Sequence, residues 1–292
     1  MLDLRKLAHL VAVADAGGFT RAAERLHLSQ QALSTSIRAL EREIGVDLLD
    51  RSGGSLRVLP AGEALIADAR VLHGAAGAAL RRARRIGRGE PEVLRIGHTP
   101  AVTGEEVTAL LARARSRAPG LATQVNQRYP DEMTEQLLGD ELDLGLGRAM
   151  RPARGLARAA VDRHRLRLAV PDGHRLAERP VVQLAELADE DIVVWGHPGR
   201  SAYTDLLVEH CRAAGFEPRV HRNPVQGTPP VTAVLGTDCV AFVTTAPGPA
   251  AGGMVRVVEL EPEVFAPVHA YWPDSTSSPG REELLAALGA AG

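Results

Sequence analysis

The sequence predicts an α/β chain in three parts: a helix-turn-helix with a small wing, one long helix, and two tandem α/β halves with a cleft between them. Three observations predict it. Helical apolar stripes with capping residues fill positions 4–43. An Ala- and Arg-rich run with no further proline follows Pro60 as far as Gly87. Beyond residue 91, short apolar runs alternate with helical stripes.

The first helix carries the stripe Leu4, Leu7, Leu10, Val11 and Ala14, and Gly17-Gly18 ends it. Thr20 is the expected N-cap of a short helix over 21–26, followed by a turn at His27-Leu28. Ser29 caps a second helix through about Glu43, stopped at Ile44-Gly45. Ala22, Ala23, Leu26, Leu33, Ile37 and Leu40 pack the pair, and the small alanines permit close crossing. The polar face of the second helix shows Gln30, Gln31, Ser34, Thr35 and Arg38, and Thr20, Arg21 and Ser29 join them as candidate DNA contacts. Gln bonds adenine edges in a major groove, while Ser, Thr and Arg reach bases or phosphates. Leu48-Leu49 and 56–58 read as a hairpin around Ser52-Gly53-Gly54, with Arg51 and Arg57 as phosphate contacts that position rather than specify.

Within the long helix, Leu65, Ala69, Leu72, Ala76, Ala79/Leu80, Ala83 and Ile86 recur in steps of three and four. This is the seam of a helix packed along another helix. A single amphipathic helix lying on its own domain is the alternative. Gly74 and Gly77 each cost about 1 kcal/mol against Ala and mark a close contact or a bend. After GRGEP, strands are expected at 93–97, 121–127 and 142–146, with helices at 104–118 and 131–138 between them. The pattern repeats with strands at 166–170, 191–195, 219–222 and 239–243, and helices at 183–187, 201–214 and 232–235. Strands at 255–258 and 268–272 and a helix at 281–288 close the chain. The spacing argues for parallel sheets with crossover helices, and such sheets bind ligands beyond their strand ends.

The length of 292 residues suits two or three domains, and a hydrophobic content of 45% excludes wholesale disorder. No apolar run is long enough to span a bilayer and no secretory signal is legible, so a cytoplasmic protein with no membrane partner is expected. The net charge of −2 conceals a split: residues 1–90 hold 14 Lys+Arg against 10 Asp+Glu, net +4, and the rest is net −6. A basic first third suggests an anionic partner there. No GxSxG, HExxH, P-loop or dinucleotide fingerprint occurs, so no enzyme, cofactor or metal is expected. Cys211 and Cys239, far apart in sequence, read as buried inert thiols, with a redox pair as the alternative.

The string FTRAAERLHLSQQALSTSIRALEREIGVDLLDRS closely resembles the DNA-binding segment of LysR-type transcriptional regulators. PAGEAL at 60–65, LRIG at 94–97, LLARARSRAPG at 110–120, LGDELDLGLG at 138–147 and LAVPDGHRLA at 168–177 continue the likeness over essentially the whole chain. The resemblance implies a winged helix-turn-helix at 1–59, a dimerisation helix at 60–90 and an effector domain at 91–292. That domain would be two-lobed like periplasmic binding proteins, with lobe I about 91–161 and 266–292 and lobe II about 162–265. It further implies a homodimer or homotetramer on promoter DNA, tuned by a small molecule, with RNA polymerase as a further candidate partner. Gln31, Thr35, Leu49 and Leu59 depart from the family's usual Pro, basic residue, Phe and Thr. The first two lie on the reading face; the other two read as packing changes.

The resemblance also places the effector. The first strand of the domain leads to His98-Thr99-Pro100, and Thr99 is the implied ligand group. Placed at the start of a helix, its hydroxyl and nearby N–H groups would suit a carboxylate; a plain helix cap is the alternative. Gly199, Arg200, Ser201, Asn223 and Gln226 are the implied partners across the cleft, and Tyr129 after the second strand is a further candidate. Arg200 could pair with an acidic effector, with a solvated surface arginine as the alternative, and His98 could read charge or pH, with a structural histidine as the alternative. Two other readings stay open from the residues alone: a solute-binding protein of a transporter, which the helix-turn-helix argues against, and a sequence-blind DNA binder.

Overall fold

A computed structural model describes residues 3–50, 56–225 and 228–290. The head is three helices, α1 (Leu4–Ala16), α2 (Phe19–Arg25) and α3 (Gln30–Ile44), and the short hairpin β1 (Leu49–Asp50) and β2 (Arg57–Val58). Asp3 accepts from the Arg5 N–H to start α1, and Gly17 ends it at φ 62°. Only α2 departs from expectation: it begins at Phe19 with Gly18 as cap and no side-chain capping bond, so Thr20 lies inside its first turn and is exposed. Ser29 accepts from the Ala32 N–H at 3.1 Å and Gly45 closes α3 at φ 82°. Leu7, Leu10, Val13, Ala22, Leu33, Ile37, Leu40 and Leu48 form one buried core with Ile66 and Ala69 of the next helix. Leu49 is buried in it too, a packing role. Arg51 lies outside the described residues.

The long helix α4 (Pro60–Gly87) is continuous over 28 residues. None of the described helices is long and apolar enough to cross a membrane. The glycines inside α4 mark close approaches. A Cβ on Gly74 would overlap the Leu138 carbonyl oxygen, and one on Gly77 would lie 3.1 Å from an Asp140 carboxylate oxygen. The helix therefore docks on the effector domain through its small face, leaving Leu72, Leu80 and Ile86 exposed.

The effector domain begins with β3 (Val93–His98), α5 (Gly104–Arg115), β4 (Ala122–Gln127), α6 (Pro130–Leu138) and β5 (Leu144–Gly147). β3 pairs in parallel with both β4 and β5. Then comes β6 (Leu156–Pro171), 16 residues long, of which sequence patterning picks out only 166–170. β7 (Val181–Gln183), β8 (Asp191–Val194), α7 (Ala202–Ala213), β9 (Arg219–Arg222), β10 (Ala241–Val243), β11 (Gly248–Ala250), β12 (Val255–Glu261), β13 (Val264–Pro273) and α8 (Pro279–Ala287) complete it. The expected helices near 183 and 232 are short 3-10 turns.

The sheets are mixed rather than parallel. β6 and β13 pair antiparallel from Leu156–Pro273 to Leu166–Val264, with a register shift at Val268/His269. At one end β13 also joins β5; at the other β6 joins β10 and β12. One ribbon thus runs through both lobes. The reason sequence patterning misses it is local: Asp162-Arg163-His164-Arg165 looks like a loop but is a strand at the crossing between two cores. Val161, Val268 and Ala270 belong to the first core, Leu166, Val264 and Ala266 to the second.

Candidate DNA-reading face and effector cleft

Gln30, Gln31, Thr35 and Arg38 are exposed on α3 and Ser34 is half-buried. Steps of one, three and four put all five on one helical face. Two hydroxyls are already committed. Ser29 caps the helix, and Thr35 Oγ1 donates back to the Gln31 carbonyl at 2.8 Å, so Thr35 offers its methyl group outward. His9 of α1 holds Ser36 at 2.7 Å behind that face. The wing is fixed by a contact that sequence reasoning did not assign: Glu41 Oε1 accepts from the N–H groups of Leu48 and Leu49 at 3.0 and 3.2 Å. Arg57 is largely exposed and pairs with Asp50 at 3.0 Å, a bond that a phosphate could exchange for. Arg21, also exposed, reaches back weakly to the Gly17 carbonyl at 3.4 Å.

Between the two lobes lies a cleft of about 410 Å³. Thr99, Pro100, Tyr129, Arg200 and Ser201 line it, as expected. Arg148, Met150, Arg151, Trp195, Tyr203 and Arg222 also line it, and sequence reasoning missed them. Four arginines face one carboxylate, Asp131, along the walls. Ser201 is the N-cap of α7, accepting from the Thr204 N–H at 3.3 Å. Thr99 is 3% exposed and its Oγ1 is buried without a hydrogen-bond partner among the described residues.

Several expectations need correcting. Thr99 does not start α5: the cap is Thr103, locked with Glu106 in a reciprocal capping box, and the Thr99 N–H is given to the Leu146 carbonyl at 2.9 Å. A helix-dipole argument at Thr99 therefore fails, because that effect fades within one turn. His98 does not line the cleft; its Nδ1 bonds the Val102 carbonyl at 2.9 Å and ties the loop. Asn223 is buried outside the cleft, accepting from the Val225 N–H at 2.9 Å. Gly199 sits at φ 76° with its N–H donated to Asp205, and Gly196 rather than Gly199 lines the wall. Gln226 lies outside the described residues.

Residues 4–63 match the model of the bacterial regulatory helix-turn-helix protein, lysR family, and residues 87–292 match the LysR substrate binding domain. The chain belongs to the LysR family. It is 36% identical over 226 residues to the HTH-type transcriptional regulator YnfL of Escherichia coli (strain K12), covering 77% of this chain and 74% of that one. It is 31% identical to TfdS of Cupriavidus pinatubonensis, covering 75% and 74%. Among solved structures, full-length CbnR complexed with its target DNA superposes with a TM-score of 0.64 at 23% identity, over 99% of each chain. A full-length OxyR variant from Pseudomonas aeruginosa gives 0.63 at 20%, over 99% and 95%. This LysR-family chain is thus a DNA-binding transcriptional regulator with an effector-binding domain, not an enzyme.

In this LysR-family regulator a charged cluster joins the lobes where the ribbon crosses. Arg148, with a fully buried side chain, donates to the carbonyls of Ala101 and Ala266 at 2.8 and 2.6 Å and to Glu106 at 2.7 Å. His164 of β6 stands 2.7 Å from the same Glu106 oxygen. Burial opposes ionisation of Glu106, but His164, the Arg148 charge, the Thr244 hydroxyl and the Thr103 N–H outweigh it and hold the carboxyl at about 2. Elsewhere burial pushes the Cys211 thiol up to about 12, which disfavours the thiolate that redox chemistry needs. Among the described residues no group of His, Cys, Asp and Glu is placed to hold a metal ion.

Proposed function

We propose that this regulator reads promoter DNA with the α3 face Gln30, Gln31, Ser34, Thr35 and Arg38, and that a small carboxylate enters the interlobe cleft to change that grip. The effector reading is carried by Thr99. A buried hydroxyl without a partner costs about 1–3 kcal/mol, and a ligand oxygen that accepts from it recovers that cost. The surrounding Arg151, Arg200 and Arg222 match an anion, since planar guanidinium forks take carboxylates in pairs of hydrogen bonds.

The exposed seam Leu72, Leu80 and Ile86 pairs α4 with a second copy, which supports a homo-oligomer. Two α3 helices then enter successive major grooves roughly 34 Å apart. Lobe closure about the β6–β13 ribbon alters the angle between paired heads and so the bend in the DNA, with coupling of about 1–3 kcal/mol. RNA polymerase would sense that bend.

The test is a thermal-shift screen of small carboxylates and aromatic acids against the wild type and Thr99→Val. At least one acid should stabilise the wild type, with the gain lost in Thr99→Val and reduced in Arg200→Ala. Stabilisation that survives both substitutions would remove the cleft from the account.

A further inference from the structure

A second groove, of about 430 Å³, separates the C-terminal part of α4 from the first lobe. Seven arginines and four carboxylates line it. The carboxylates are engaged: Arg81 pairs with Asp140, Arg95 holds Asp143 at 2.8 Å, Glu92 accepts from the Ser278 hydroxyl and the Gly280 N–H at 2.8 and 3.1 Å, and Glu90 lies 3.6 Å from Arg88. Three guanidinium groups in the groove have no carboxylate within ion-pair distance among the described residues: Arg82, Arg84 and Arg281.

Arg281 is the informative one. It is 4% exposed, and it donates to the Thr276 hydroxyl at 3.1 Å and to the Thr276 carbonyl. It also sits in the first turn of α8, where the helix dipole disfavours a cation. Burial holds it below the ordinary arginine range, against the pull of Asp143, Glu282 and Glu92 from beyond ion-pair distance. Arg82 donates to the next carbonyl, that of Ser277, at 2.8 Å. Two like charges thus converge on adjacent carbonyls of one loop, and the carboxylates bonded to that loop, Glu92 and Glu282, stay beyond ion-pair distance of both. The C-terminal dipole of α4, equivalent to about half a negative charge, offsets part of one charge rather than three.

We propose that this groove binds a small polyvalent oxyanion of the phosphate class, held by Arg82, Arg84 and Arg281. Phosphate oxygens match the guanidinium fork and supply the charge that a buried arginine lacks. Its occupant bridges α4 and the first lobe, so it fixes the linker against the sensor domain through a route separate from the interlobe cleft.

The test titrates pyrophosphate into the full chain by calorimetry at constant ionic strength. The variants Arg82→Ala and Arg84→Ala alter exposed side chains and keep the fold, and Arg281→Lys tests the buried one. One saturable site per chain is expected, weakened about tenfold or more by each variant. Thr99→Val, in the other cleft, and Arg115→Ala, an exposed control on α5, should bind within about twofold of wild type. The proposal is overturned by no saturation up to about 10 mM, by equal weakening in Arg115→Ala, or by loss in Thr99→Val, which would move the anion to the interlobe cleft. It is overturned too if Arg82→Ala leaves pyrophosphate binding intact but weakens DNA binding, because the groove would then serve the DNA backbone.

Discussion

Glu106→Gln tests the account of how the lobes are joined. Glu106 is the carboxylate that neutralises Arg148, whose side chain has no solvent exposure. Removing one partner of a buried pair typically costs about 3–5 kcal/mol, because the other charge is left uncompensated. Gln keeps a carbonyl for Arg148 or His164, so the lower end of that range is expected. The titration gives an independent magnitude. A carboxyl held at about 2 rather than 4.5 stabilises the native state by about 3 kcal/mol when ionised. The sign follows from the lowered value: the stabilisation is complete above pH 4.5 and is lost as pH falls towards 2. Asp143, also lowered, adds to the acid loss by the same sign. Urea unfolding of the full chain can follow Trp195 and Trp272, which pack against different cores. At pH 7 the variant should be weaker by about 3 kcal/mol, and its stability should fall less steeply than wild type between about pH 4.5 and 3. A loss under about 1 kcal/mol, or an unchanged acid slope, would refute the idea that this cluster braces the hinge.

Three further outcomes follow from the same structure. Gly74→Ala should destabilise by about 1–3 kcal/mol despite the roughly 1 kcal/mol gain in helix propensity, because its Cβ overlaps the Leu138 carbonyl; Gly87→Ala meets open space and should not, as melting curves of both will show. Leu80→Glu changes a side chain 60% exposed in the single chain, so it should leave circular dichroism unchanged while shifting sedimentation toward monomer; an unmoved oligomer would remove α4 from the interface. Gln30→Ala and Ser34→Ala should relax base preference in selection from random duplexes, whereas Arg57→Ala should weaken all DNA alike and lower the salt slope by about 1; equal losses on specific and random DNA for all three would contradict these roles.

The head was almost fully legible because its signals are local. Ser29 starts α3 with its own hydroxyl, Gly17 and Gly45 end helices through a left-handed backbone, and the apolar stripes of α1 and α3 need no distant partner to be read. Thr20 misled because a glycine, Gly18, accomplishes the entry to α2 without a side chain. In the cleft, Thr99, Tyr129, Arg200 and Ser201 could be placed from motif position. Arg148, Trp195, Tyr203 and Arg222 could not, because strand ends from different parts of the chain bring them together. His98 and Asn223 look like ligand groups in sequence, yet His98 Nδ1 and Asn223 Oδ1 are used by nearby backbone.

The sequence by itself determined the order of the parts, most helix ends of the head, the packing residues of its core and the family. Those properties rest on periodicity of 3.6 or 2 and on capping chemistry within a few residues. The tertiary structure alone decided that β6 and β13 form one ribbon through both lobes, and that Gly74 and Gly77 are contacts rather than bends. It also decided that the arginines ending α4 meet Arg281, which lies far along the chain on the last helix. Each of these depends on which distant backbone arrives at a given face, and no local pattern encodes that arrival.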